Sequence, residues 1–182
     1  MTLFKSEIAQ KVLGFFFLNP QEQLYTNEIA KNLDLDKRNL VKKLKEFEKE
    51  GLLKKAVRGN MKLYSINDKY PFYHEYRKII LATAGVEGSL RRILAGFSDV
   101  LEAYIYGSYA RDAMDAHSDI DLLIVGNHSV LALQRKLTML QKTLGREINA
   151  VNMDPKEFKE KQENNDPFIA GLLHGKKLRV YP

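Results

Sequence analysis

The sequence predicts an α+β chain of two domains, and three observations carry that prediction. Basic residues gather at the front: residues 1–70 hold 14 Lys and Arg against 9 Asp and Glu, a balance of +5, whereas residues 71–182 hold 15 against 14, a balance of +1. Apolar residues recur at helical spacing through the first fifty positions, then give way to two short strand-like runs around Arg58-Gly59-Asn60. Further on, strand-like and helical runs alternate, and the run Leu122-Leu123-Ile124-Val125 is preceded by Asp119-Ile120-Asp121. At 182 residues, either half is long enough to bury a core.

Composition narrows the function classes. With no cysteine, disulfides, thiolate metal sites and a cysteine nucleophile are excluded, so metal chemistry must use oxygen or imidazole. No apolar stretch has spanning length, and Met1 to Asn19 reads as an amphipathic helix rather than a leader. The expectation is a cytoplasmic protein with no membrane partner. A basic front joined to a nearly neutral remainder points to a polyanion-binding part and a second part with another task.

The first domain reads as three helices and a hairpin. Ile8, Val12, Leu13 and Phe16 recur at helical spacing, and Asn19-Pro20 ends that helix, because the residue before proline is pushed out of the helical region. Thr26 is the expected cap of a second short helix with Glu28 in its first turn and Ile29 and Leu33 inward. Asp36 is expected to cap a third, Lys37 to Glu50, with Leu40, Val41, Leu44 and Phe47 on one face, Lys37, Arg38, Asn39, Lys42, Lys43 and Lys45 on the other, and Gly51 as its stop. Leu52 to Val57 and Met61 to Ile66 then form two strands around the Gly59-Asn60 turn.

This order resembles the winged helix-turn-helix of bacterial and archaeal regulator families over residues 3 to 67. The resemblance implies a DNA-binding domain over 1–70. The major groove admits a helix, phosphates on either side attract cations, and a wing can reach the adjacent backbone. Lys37, Arg38, Asn39, Lys42 and Lys43 are the groove candidates; Arg58, Asn60 and Lys62 are the wing candidates. Residues 71–98 follow a linker at Asn67 to Pro71 and suit one long amphipathic helix, or two divided near Gly85 and Gly88. Their apolar face fits either burial within one chain or pairing with a second copy in a homodimer.

The second domain, 99–182, opens with the strand Val100 to Tyr106 and then Gly107-Ser108. A helix starting just after Ser108 would aim its free N–H groups at an anion on the Gly-Ser turn, with Arg111 adding a cation one turn later. Asp119 and Asp121 occupy alternate positions of an extended segment, so their carboxylates share a face. Two carboxylates so placed repel unless a divalent cation joins them to phosphate oxygens, and Mg2+ prefers such hard ligands.

Gly107-Ser108, ten residues, then Asp119-Ile120-Asp121 after Ser118 resembles the minimal nucleotidyltransferases of the DNA polymerase beta superfamily, strongly over Ala103 to Gly126 and more loosely over 85–182. The resemblance implies a small mixed-sheet α/β fold in which Gly107, Ser108 and Arg111 hold the phosphates of a nucleoside triphosphate, ATP foremost. It also implies that Asp119 and Asp121 bind Mg2+ for transfer of a nucleoside monophosphate with release of pyrophosphate. Asp112 departs from it, since many relatives read Ala-Arg-Gly there. The third carboxylate of active relatives, able to take the proton from the attacking hydroxyl, aligns with Asn149 on the strand that follows the helix Val130 to Leu144. An amide adds no charge and takes no proton at neutral pH. Glu147, two residues earlier, reaches that place only if the strand slips by one pair.

Asp154-Pro155 and Asp166-Pro167 each read as a cap followed by a first helical residue, and none of the four histidines has metal-ligand spacing. Two functions follow. One is a DNA-binding transcriptional regulator carrying a Mg2+-nucleotide site. The other is an active nucleotidyltransferase acting on a protein or small acceptor, a toxin partner among them, with the first domain accessory. The partners expected are double-stranded DNA, nucleotide, and such an acceptor.

Overall fold

The computed structural model describes residues 6–182, so the first five positions of the expected first helix lie outside the described residues. The chain divides into two compact units, one running to Gly88 together with Lys142–Gly145, the other comprising Ser89–Gln141 and Arg146–Pro182.

In the first unit, α1 (Glu7–Leu18) is followed by β1 (Leu24–Tyr25), α2 (Thr26–Asn32), α3 (Lys37–Lys49), β2 (Leu53–Arg58), β3 (Met61–Ile66) and α4 (Tyr73–Thr83). The strands form an antiparallel sheet in the order β1-β3-β2. Helix α1 is not simply amphipathic: every residue from Val12 to Leu18 is buried, while Ile8 is only half-buried. The cap of α2 is Tyr25 rather than Thr26, which is the first helical residue; Tyr25 ends β1, and its N–H donates to Glu28 Oε2 at 2.7 Å. Asp36 caps α3 by accepting from Asn39 N at 2.9 Å. That helix buries Leu40, Leu44 and Phe47, and Gly51 follows it at φ 79°, a left-handed backbone that suits glycine. Residues 73–94 form two helices, α4 and α5 (Val86–Leu94), because Ala84 and Gly85 both turn back to Ile80 O, at 2.9 and 2.7 Å.

The second unit is a four-stranded mixed sheet in the order β6-β5-β4-β7, with β4 (Val100–Tyr106), β5 (Ile120–Gly126), β6 (Ile148–Met153) and β7 (Leu178–Tyr181). β4 runs antiparallel to both β5 and β7, whereas β5 and β6 are parallel and joined through α7 (Val130–Leu144). In β5 every residue except Asp121 is buried, as expected of a central strand covered on both faces. Leu123 and Val125 pack with Met153, Phe158, Ile169 and Leu172, these four carried by β6's end and by α8 (Pro155–Glu163) and α9 (Pro167–His174). Asp154 and Asp166 cap these two helices, each followed by proline at the first position. No helix among the described residues is long and apolar enough to cross a membrane.

Candidate functional site

β4 ends at Tyr106 and pairs there with Asp121. The chain then enters a single helical turn, α6 (Gly107–Ala110), which begins at Gly107 rather than just after Ser108. Asp112 at φ 55° stops it, and its N–H and that of Ala113 close back onto Tyr109 and Ser108 carbonyls at 3.1 and 3.0 Å. Four residues align too few peptide dipoles to make a helix-terminus anion seat, so any phosphate contact here must come from the turn itself and from Arg111, which is exposed.

Gly107 is fixed by its neighbour. Its φ is 70°, and a Cβ built on it would fall 2.1 Å from Asp121 Oδ2. The carboxylate therefore lies against the bare α-carbon, close enough that only glycine fits. Asp119, one residue before β5, stands two positions away on the same side of the extended chain. That side is the one on which Leu123 and Val125 join the apolar cluster, so the two carboxylates continue a buried row into half-buried surroundings. Burial, then the negative charge of Asp119, pushes the Asp121 carboxyl above the ordinary range, with Arg111 pulling the other way. Tyr106 is raised as well, by burial and then by Asp121.

Two groups hold Asp119. Asn149 Nδ2 donates to Asp119 Oδ2 at 3.1 Å. Arg146, only 9% exposed, donates through one guanidinium nitrogen to the carbonyls of Ala116 and Ser118 at 2.8 and 3.1 Å, tying the loop before Asp119 to the start of β6. Sequence reading missed Arg146, since nothing in its local pattern says that its partners lie thirty residues upstream. The register Asp121↔Asn149 places the amide directly opposite the second carboxylate. Glu147 is exposed and lies outside β6, and only its backbone carbonyl takes part in the pairing, accepting from Ile120 N at 2.9 Å. The slipped register that would substitute Glu147 is thus overturned. Among the described residues no group of three or more His, Cys, Asp or Glu could hold a metal. Two hard carboxylates whose mutual repulsion shows in Asp121 fit one divalent cation, and no third carboxylate completes a second site.

A cavity of about 400 Å³ is lined by Tyr106, Gly107 and Arg111 and by Phe168, Gly171 and Lys176. The Phe168 ring meets Tyr106 edge-on, with centroids 5.5 Å apart at 72°.

The expected nucleic-acid residues fall on the first unit's surface. Lys37, Arg38, Asn39 and Lys42 on α3, and Arg58, Asn60 and Lys62 at the hairpin, are exposed. Lys37, Asn60 and Lys62 line one groove of about 250 Å³ together with Thr26, Val41 and Lys45. Lys43 differs, being half-buried, bonded to Glu46 at 2.6 Å and lying 5.7 Å from the Phe47 ring centroid. At the base of the hairpin, Lys54 and Lys55 are paired with Asp68 and Glu48.

No curated protein matches the chain. Among solved structures, a toxin–antitoxin crystal structure with AMP-PNP is similar at 14% identity and a TM-score of 0.40, covering 52% of this chain and 72% of that one. A candidate nucleotidyltransferase of Sulfolobus solfataricus is similar at 18% identity and a TM-score of 0.30, covering 52% and 74%. Residues 88–171, which hold Gly107, Asp119, Asp121 and Asn149, match the family model of the nucleotidyltransferase domain.

Proposed function

We propose that this protein is a DNA-binding transcriptional regulator whose second unit binds a Mg2+-nucleoside triphosphate, ATP being the first to test, without turning it over. The observation that carries the nucleotide site is Asp121 seated on Gly107, where only the absence of a Cβ leaves room for the carboxylate. In this reading Asp119 and Asp121 would hold the metal, and Gly107, Ser108 and Arg111 would receive the phosphates. Bound Mg2+ supplies charge neutralisation at the phosphate oxygens. The protein's own part is to fix Asp119 through Asn149 and Arg146, and to present Arg111 beside the turn.

Turnover would need a group that accepts the proton of an attacking hydroxyl. Asn149 stands nearest to the pair and already donates its amide hydrogen to Asp119, and an amide takes no proton at neutral pH. The geometry favours binding over transfer. The match to nucleotidyltransferase domains favours the second reading, transfer of a nucleoside monophosphate to a protein or small acceptor in the manner of an antitoxin, with the first unit accessory.

DNA binding rests on the groove that gathers Lys37, Lys45, Asn60 and Lys62 between α3 and the hairpin. A helix and a β-ribbon that share a cationic groove suit the alternation of phosphates and base edges on a duplex.

Calorimetric titration of ATP into wild type and into an Asp119→Ala/Asp121→Ala variant, with and without Mg2+, tests the nucleotide half. Metal-dependent binding that the variant loses supports it. Absence of binding to wild type ends both nucleotide readings and leaves the DNA-binding unit with a silent companion.

A further inference from the structure

We propose, resting on the nucleotide reading above, that Phe168 on α9 is the platform for the nucleobase and that Lys176 is a second phosphate cation in the cavity that Arg111 also lines. Neither residue belongs to the Gly-Ser and Asp-x-Asp motifs. Lys176 lies beyond the matched stretch that ends at residue 171.

The geometry begins with charge. Tyr106, Gly107 and Arg111, from the turn on which Asp121 rests, line the cavity together with residues of α9 and Lys176. A triphosphate bound at the turn thus has two exposed cations, Arg111 and Lys176, on the lining of one cavity. Beyond the cations the wall turns apolar with Pro167, Phe168 and Leu172. Phe168 is 37% exposed and lines the cavity, its ring inclined at 72° to that of Tyr106, so an aromatic side chain borders a cavity that includes the phosphate turn. Gly171, one turn further along α9, has nothing within 4 Å of where a Cβ would sit. The helix leaves open the volume that a flat base needs.

An aromatic platform accepts any base through its π-face and favours the larger ring system. The lining side chains that carry polar atoms are Tyr106, Arg111 and Lys176, too few to read one purine edge against another. ATP and GTP then bind with similar affinity, and CTP binds more weakly.

The test uses the full chain with Mg2+ and four probes: ATP, GTP, CTP and inorganic tripolyphosphate. Phe168→Ala should weaken ATP and GTP roughly tenfold or more, the measured scale of base–aromatic stacking, and leave tripolyphosphate unchanged. Gly171→Leu extends a side chain from a position where a Cβ meets nothing within 4 Å and should do the same, which guards against a folding defect in the first variant. Lys176→Gln should weaken all four probes. The proposal is overturned if wild type binds ATP through Asp119 and Asp121 while Phe168→Ala and Gly171→Leu bind it equally well, or if those two variants lose tripolyphosphate in step with ATP. A wild-type preference between ATP and GTP above roughly tenfold overturns the base-tolerant platform. Failure of wild type to bind any probe is a different result, which removes the nucleotide site itself and this inference with it.

Discussion

Asn149 Nδ2 donates to Asp119 Oδ2 at 3.1 Å, while in the same pair of parallel strands Asn149 stands opposite Asp121. One amide therefore touches one carboxylate and flanks the other, at the point where a proton acceptor would have to stand. Asn149→Asp would place a third carboxylate there, tighten metal binding and lower the stability of the metal-free protein by adding like charge. With ATP and Mg2+, pyrophosphate release should rise from background in wild type to a measurable rate in the variant. Equal release from both would show that Asn149 is no obstacle and would favour the transferase reading.

Gly107→Ala should cost stability twice over. A left-handed residue with a Cβ carries a penalty of about 1–2 kcal/mol, and the methyl would meet Asp121 Oδ2 at 2.1 Å. Pairing it with Asp121→Ala should recover the steric part and leave the backbone part. A double-mutant cycle on thermal unfolding reads the coupling, and strict additivity would contradict the contact.

Burial and the Asp119 charge raise the Asp121 carboxyl. The folded chain therefore holds that proton more tightly than the unfolded chain. Ionised Asp121 costs stability once the pH exceeds its folded value, and the cost disappears below the unfolded value of about 3.9. Asp121→Asn should melt higher than wild type at pH 7, with the gap closing as the pH falls toward about 4, and should lose Mg2+-dependent nucleotide binding. A gap that widens on acidification would reverse the assignment.

Arg146→Met keeps the stem of the side chain and removes two hydrogen bonds to the loop before Asp119. A loss of about 1–3 kcal/mol is expected from the unsatisfied carbonyls, with nucleotide affinity falling because Asp119 keeps only its bond from Asn149. Exchange of the Ala116 to Asp119 amides should quicken. Unchanged protection there would show that Asn149 alone positions the carboxylate.

On the first unit, Lys42→Ala with Arg58→Ala should weaken DNA binding and reduce the slope of log affinity against log salt by about 1 for each cation that meets a phosphate. Lys43→Ala should change little, because Lys43 is already engaged with Glu46 and Phe47. If Lys43→Ala costs as much as the double variant, α3 presents a different face.

What the sequence disclosed of the site follows from range. The two-residue period of a strand put Asp119 and Asp121 on one face, whereas Asn149 came only from the resemblance to nucleotidyltransferases, and its place opposite Asp121 is set by the parallel pairing of β5 and β6. Gly107 was legible as a glycine that some close approach requires, though not that Asp121 makes the approach. The length of α6 was not legible, since it depends on Asp112 adopting a left-handed backbone. Arg146 was invisible because its partners, the carbonyls of Ala116 and Ser118, lie 30 and 28 positions upstream, a pairing that no local pattern records. Tyr25 replaced Thr26 as a cap for a local reason, because β1 ends one residue before the helix begins.

The order of the sheet also bears on how the second unit comes together. β4 and β5 are sequence neighbours and pair antiparallel, so the turn at Gly107 and the two aspartates arise from a segment that closes over a short loop. The rest of the cavity lining comes from α9 and from residues 175 and 176, which lead into β7, the last strand, paired with β4 from residue 178. Short closures form sooner than long ones. In refolding, the acidic pair should therefore be in place before the aromatic wall, and a folding chain passes through a stage that can attract a cation but offers a base nowhere to rest.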